Sequence, residues 1–140
     1  GDQRRSLRVE NPRCLLVDDE ESSRLYNLMR LERMGLKATG ASWEEAENAF
    51  LKGTQDALIL CLRGGEPARG ECLERLCALA HGLSGGCERL VVAALDEDSQ
   101  EEPQCTAAGC DRLVQLPISG QELFQLCRDV TTQSQLSVSP

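Results

Sequence analysis

Four short apolar runs punctuate the chain: Cys14-Leu15-Leu16-Val17, Ala57-Leu58-Ile59-Leu60-Cys61-Leu62, Leu90-Val91-Val92-Ala93-Ala94-Leu95, and Leu113-Val114-Gln115-Leu116. Continuous rather than alternating, they predict strands covered on both faces, as in a parallel sheet. A weaker segment, Leu36-Lys37-Ala38-Thr39, predicts a fifth strand polar enough to lie at an edge. Between the runs the apolar period becomes helical. Leu25, Leu28, Met29 and Met34 predict one face of a helix over about residues 22–34, closed by Gly35. Ser42-Trp43-Glu44-Glu45 is a capping box opening a helix with the face Trp43, Ala46, Ala49 and Phe50 and a stop at Gly53. Leu73, Leu76, Cys77 and Leu83 mark a third helix, and a second capping box, Ser119-Gly120-Gln121-Glu122, precedes the stripe Leu123, Leu126, Cys127 and Val130. The acidic stretch from Asp96 to Ala108, broken by Pro103, predicts a short helix. Strand and helix thus alternate five times, which implies a doubly wound α/β domain: a five-stranded parallel sheet with helices on both faces. Its bounds are predicted at residues 13–130, with an N-terminal linker at 1–12 and a Ser/Thr/Gln-rich linker or tail at 131–140.

Composition narrows the picture. The 140 residues carry 15 Lys+Arg against 23 Asp+Glu, a formal net charge of −8, with 41% apolar residues. That is one domain with enough apolar residues for one core. A net acidic chain is a poor partner for duplex nucleic acid or an anionic membrane, because phosphate contacts need a basic face. The one basic cluster, Arg4, Arg5, Arg8 and Arg13, precedes the first strand. The longest apolar run is far short of the roughly 20 residues that span a bilayer. No secretory leader is visible, and the absence of an initiator Met suggests a piece of a longer protein, so a cytoplasmic location is the default expectation.

Cysteine is over-represented, at positions 14, 61, 72, 77, 87, 105, 110 and 127. No C-x-x-C or paired ligand spacing is present, so neither a zinc site nor a disulfide framework is expected. Cys72 and Cys77, like Cys105 and Cys110, lie five apart, a spacing that points two thiols in different directions on a continuous helix. Burial as small hydrophobes is the expected role of all but Cys61.

In a doubly wound sheet the working crevice lies beyond the carboxyl ends of the strands. There the first strand ends in Asp18-Asp19-Glu20-Glu21. Adjacent carboxylates suit a hard cation such as Mg²⁺; they also suit the start of a helix, whose dipole favours acids. Leu15-Leu16-Val17-Asp18-Asp19-Glu20, Asp56-Ala57-Leu58-Ile59-Leu60, and Ala108-Gly109-Cys110-Asp111-Arg112-Leu113 through Leu116-Pro117 resemble the receiver domain of two-component response regulators, over almost the whole chain. The resemblance implies a flavodoxin-like receiver fold. It also implies an acidic pair holding Mg²⁺, a phosphoacceptor Asp ending the third strand, a Thr or Ser ending the fourth, a Lys before Pro on the fifth, and a switch aromatic three residues before that Lys.

Only part of that set is present. Asp18 and Asp19 match the acidic pair and Pro117 the proline, whereas Cys61 stands at the acceptor, Ala94 at the Thr/Ser, Leu116 at the Lys and Leu113 at the switch aromatic. The expectation is a degenerate phosphosite with no catalytic residue. Without the lysine, no fixed cation balances charge on a phosphoryl group. With sulfur as the third ligand, any Mg²⁺ on Asp18 and Asp19 would be weakly held, and no other cofactor is expected.

The resulting expectation is a non-enzymatic pseudo-receiver, a phosphorylation-independent interaction or regulatory module. Its partners would be other signalling domains, such as a histidine kinase core or output domain of the same chain. They would meet the face built from the fourth helix, fifth strand and fifth helix, with Gln100, Gln104, Arg112, Gln115 and Gln125 as candidates. The alternative is a thiol redox sensor using Cys61, which would need exposure at the strand end although its acidic neighbours oppose a thiolate. Phosphorylation at Asp56 or Glu66 ranks last, since neither has the Lys or Thr beside it.

Overall fold

The structure, a computed structural model, describes residues 11–67, 69–82 and 89–137, with no side-chain detail beyond 133. The chain runs β1 (Arg13–Val17), α1 (Glu21–Arg33), β2 (Lys37–Ala41), α2 (Ala46–Leu51), β3 (Ala57–Leu62), α3 (Gly70–Gly82), β4 (Leu90–Leu95), α4 (Glu102–Ala108), β5 (Arg112–Gln115) and α5 (Gly120–Ser137). All strand pairs are parallel, in the order β2-β1-β3-β4-β5. The expected fold class is therefore present, and the polar fifth strand is indeed an edge.

The apolar runs are continuous because alternate residues serve opposite cores. Cys14, Leu16, Ile59, Cys61, Val92, Ala94 and Val114 face α1 and α5, meeting Leu31, Leu123, Leu126 and Val130. Leu15, Val17, Leu58, Leu60, Val91 and Ala93 face the other way, onto Phe50 of α2, Leu73, Leu76 and Cys77 of α3 and Cys105 of α4. Each such leucine, fully buried, contributes about 1.5–3 kcal/mol.

The first capping box closes from both sides, one turn ahead of regular helix at Ala46, and the second closes from its serine. The Ser42 hydroxyl accepts from the Glu45 N–H at 3.3 Å, and the Ser119 hydroxyl accepts from the Glu122 N–H at 3.1 Å. Gly35 takes the left-handed conformation (φ 98°) that ends α1, where Leu36 N–H bonds back to the Leu31 carbonyl at 3.1 Å.

Three expectations need correction. The stripe Leu25, Leu28, Met29 and Met34 is not the buried face of α1: Leu25, Met29 and Met34 are exposed, while Asn27 and Leu31 point inward and Leu28 packs against the core. Polar side chains occupy that inner face because each finds a partner. Arg24 Nη1 donates to the Asp18 carbonyl at 2.7 Å, and Asn27 Oδ1 accepts from Arg30 at 2.9 Å. Second, the last helix does not end with its apolar stripe: α5 continues to Ser137, anchored by Val130 and the stripe before it. Third, Cys105 and Cys110 do not diverge. Helix α4 stops at Gly109 (φ 101°), and the Cys110 N–H bonds back to the Cys105 carbonyl at 3.0 Å. The linker at 1–12 lies outside the described residues except for 11 and 12, as do Arg4, Arg5, Arg8, Leu83 and Cys87.

The loop leaving β3 lies hard against the loop leaving β4. Gly64 N–H donates to Asp96 Oδ1 at 2.9 Å, and a Cβ at Gly64 would lie 2.5 Å from Asp98 Cβ and 2.6 Å from Asp98 main-chain atoms. Gly64→Ala must displace backbone and is expected to cost about 1–3 kcal/mol in urea denaturation. Gly53→Ala, where a Cβ meets nothing within 4 Å, is expected to stay within about 0.5 kcal/mol of the parent.

Candidate functional site

The order β2-β1-β3 makes the carboxyl ends of β1 and β3 the point where the chain departs in opposite directions, the usual place for a crevice. Val17 pairs with Leu60, so Asp18 and Asp19 emerge beside Cys61, the next residue of β3. Cys61 in turn pairs with Ala94 on β4, and Ala94 with Val114 on β5. Leu116 follows β5, its N–H bonded to the Leu95 carbonyl at 2.8 Å, before a cis bond to Pro117. The sequence-predicted positions Asp18, Asp19, Cys61, Ala94 and Leu116 are thus gathered at one sheet end.

What they build is not a polar pocket. Cys61, Ala94 and Leu116 are 0%, 0% and 6% exposed and belong to the core beneath α1 and α5. Leu113 is half-buried against the opposite core. The exposure that a Cys61 sensor would need is absent. Burial pushes the Cys61 thiol well above its ordinary value, the Asp18 charge raises it further, and Arg63 only partly offsets this. The Trp43 indole N–H closes the site by donating to the Cys61 carbonyl at 2.8 Å.

The acidic pair is engaged by two arginines and by backbone N–H groups. Asp18, fully buried, is held end-on by Arg63, the residue immediately after β3: Nε donates to Oδ1 at 3.1 Å and Nη2 to Oδ2 at 2.8 Å. The same Nη2 donates to Ser23 Oγ at 2.8 Å. The Glu20 N–H supplies a further bond to Asp18 Oδ1 at 3.0 Å. Asp19 accepts from the Trp43 N–H at 2.8 Å through Oδ1 and from Arg69 Nη2 through Oδ2. The Arg69 guanidinium also lies 5.8 Å from the Trp43 ring centroid.

Two guanidinium groups therefore correct the expectation of a site without a fixed cation. They also revise the capping alternative. No side chain caps the N-terminus of α1, and Asp18 and Asp19 are ion-pair acceptors that hold backbone N–H groups as a secondary task. The sequence signal was available in Arg63-Gly64-Gly65-Glu66-Pro67-Ala68-Arg69, an arginine at each end of the loop that leaves β3 beside the acidic pair.

This donor set does not fit Mg²⁺. Both Asp18 oxygens face a guanidinium, Asp19 is engaged on each oxygen, and the third position is a buried neutral thiol rather than an oxygen ligand. No group of three or more His, Cys, Asp or Glu among the described residues is placed to hold a metal. Asp56 sits at the far end of the sheet, where Oδ2 accepts from the Arg13 N–H at 2.8 Å. Glu66 lies half-buried on the loop after β3, its carboxyl pushed up by desolvation and then by the Asp19 charge.

The fold has counterparts among solved structures. A response regulator receiver domain protein (CheY-like) from Methanospirillum hungatei aligns at 20% identity and a TM-score of 0.71, over 91% of this chain and 99% of that one. This chain has the receiver fold. A putative response regulator from Chloroflexus aurantiacus aligns at 20% identity and 0.70, over 88% and 99%, and a Francisella response regulator receiver domain at 19% and 0.69, over 89% and 99%. No family model and no curated protein matches the sequence.

Removing Arg63 strands a buried carboxylate, a loss that typically costs about 3–5 kcal/mol. Arg63→Ala is expected to lower the urea midpoint by a corresponding amount, whereas Arg75→Ala, which breaks the exposed pair with Glu47, should leave it unchanged. The buried thiol also predicts a pH dependence. The folded state holds the Cys61 proton more tightly than the unfolded chain, so its contribution is complete below the ordinary thiol value of 9.0 and is lost as pH rises above it. Between about pH 8 and 10.5 the parent should lose more stability than Cys61→Ala, measured as the difference in urea midpoints.

Proposed function

We propose that this domain is a pseudo-receiver, a phosphorylation-independent interaction or regulatory module of a two-component signalling protein, and not an enzyme. The observation that carries this reading is the pairing of Arg63 with Asp18 and of Arg69 with Asp19 at a sheet end where Cys61, Ala94 and Leu116 are packed as core. Phosphoryl transfer is catalysed mainly by electrostatic stabilisation of the transferring group and by positioning of it. Here the charges that could provide it neutralise one another inside the protein, no acceptor carboxylate ends β3, and no cofactor is required. Asp56 lacks every other component, and Glu66 has only arginines already committed to other carboxylates.

With the switch site sealed, recognition falls to the outer surface. Gln100, Gln104, Gln115 and Gln125 are exposed along α4, β5 and α5, and Arg112 is half-buried in an ion pair with Asp129 that Gln125 supports at 3.0 Å. This polar face fits another signalling domain, such as a kinase core or output domain of the same chain, better than nucleic acid or a membrane, given the net charge of −8. No helix among the described residues is long and apolar enough to cross a membrane, and a cytoplasmic setting accords with the proposed role.

The test is incubation of the domain with acetyl phosphate, or with beryllofluoride, in the presence of Mg²⁺. Intact-mass measurement and ¹⁹F NMR should show no adduct. A stoichiometric, Mg²⁺-dependent adduct would overturn the proposal.

A further inference from the structure

Three of the cysteines converge away from the strand ends. Cys77 on α3 and Cys105 on α4 are fully buried, and Cys110, in the turn between α4 and β5, is half-buried. Cys77 Sγ lies 3.8 Å from Cys110 Sγ, and Cys105 stands beside Cys110 across the turn that ends α4. Two features hold the sulfurs there. The Gly109 turn returns Cys110 onto α3 and keeps its N–H on the Cys105 carbonyl. One turn further along α3, His81 Nε2 meets Asp111 Oδ2 at 3.3 Å, and that carboxylate also accepts from the Val91 N–H at 2.8 Å. Residues 77 and 81 of α3 therefore grip residues 110 and 111, because positions four apart share a helix face.

We propose that Cys77 and Cys110 form a site of reversible oxidation by a peroxide, closing to a disulfide that ties α3 to the turn between α4 and β5. Cys110 is the sulfur a solvent-borne oxidant can reach. Hydrogen peroxide transfers one oxygen to it as the O–O bond breaks, giving a sulfenic acid and one water. Cys77 Sγ then attacks Cys110 Sγ, the S–O bond breaks, and the hydroxyl leaves as a second water with the Cys77 proton. Two electrons pass from the sulfurs to the peroxide. The sulfurs must close from 3.8 Å to about 2.05 Å. That movement is available to a side chain on a turn, whereas Cys61, enclosed on every side, has no comparable partner or access. The contact between the two sulfurs lowers the Cys77 thiol below its ordinary value and, with burial, raises the Cys110 thiol, so access to solvent selects Cys110 as the sulfur oxidised and Cys77 as the one that attacks.

The experiment treats the 140-residue chain with a small excess of hydrogen peroxide, caps the remaining thiols with N-ethylmaleimide, and maps the product by non-reducing mass spectrometry. Fragmentation must separate Cys77 from Cys87 and Cys105 from Cys110. The expected product is a monomer carrying a Cys77–Cys110 bridge that dithiothreitol reverses and that raises the thermal midpoint. The same bridge should form in Cys105→Ser and disappear in Cys110→Ser. A Cys105–Cys110 or Cys77–Cys105 bridge, a bridge between chains, or complete capping of all thiols would overturn the proposal.

Discussion

A carboxylate with no exposed surface, at the end of an interior strand of a parallel sheet, demands a counter-charge. Asp18 receives it from Arg63 by two parallel hydrogen bonds, and much else at this sheet end follows from that pair. Arg63 can reach Asp18 only because β1 and β3 are neighbours in register, so the residue after β3 emerges beside the residue after β1. The Gly64 approach to Asp98 then sets the course of the loop, and Arg69 re-enters at its far end to meet Asp19. Because a buried ion pair recovers its desolvation cost only when every lone pair is satisfied, the Glu20 N–H and the Ser23 hydroxyl are part of the same arrangement.

The consequence is a receiver fold in which internal cations, Arg63 and Arg69, balance the two acids at the strand ends. A receiver that responds to phosphorylation has to leave acids unpaired and a polar cleft open, at a cost in stability. Here the acids are neutralised, and a thiol, a methyl group and an isobutyl group fill the space below them, so the strand ends become an extension of the core. Stability and chemistry are exchanged at one place, and the sheet, helices and crossovers are unaffected.

Much of the fold was legible from apolar patterning, because burial on both faces removes alternation and leaves runs such as Leu58-Ile59-Leu60 that fit nothing but a covered strand. Legibility failed where polar side chains entered the interior. Asn27 takes an inward position on α1, with Arg24 half-buried beside it, because neighbouring polar groups satisfy them, leaving Leu25 and Met29 outside. Cys105 and Cys110 meet despite their five-residue spacing because Gly109 ends the helix between them.

By itself the sequence determined which groups were available at the strand ends: two acids, with cysteine, alanine and leucine on the neighbouring strands. Residue identity alone decides whether a nucleophile or a charge exists. Only the tertiary structure decided what the acids do, because the arginines that neutralise Asp18 and Asp19 lie 45 and 50 residues away along the chain. Register between parallel strands brings them within bonding distance. The same holds for Cys77 and Cys110, separated by 33 residues and joined by the packing of α3 against the turn after α4. Charge and type are properties of residues, whereas neutralisation and reactivity are properties of distances that only the folded chain sets.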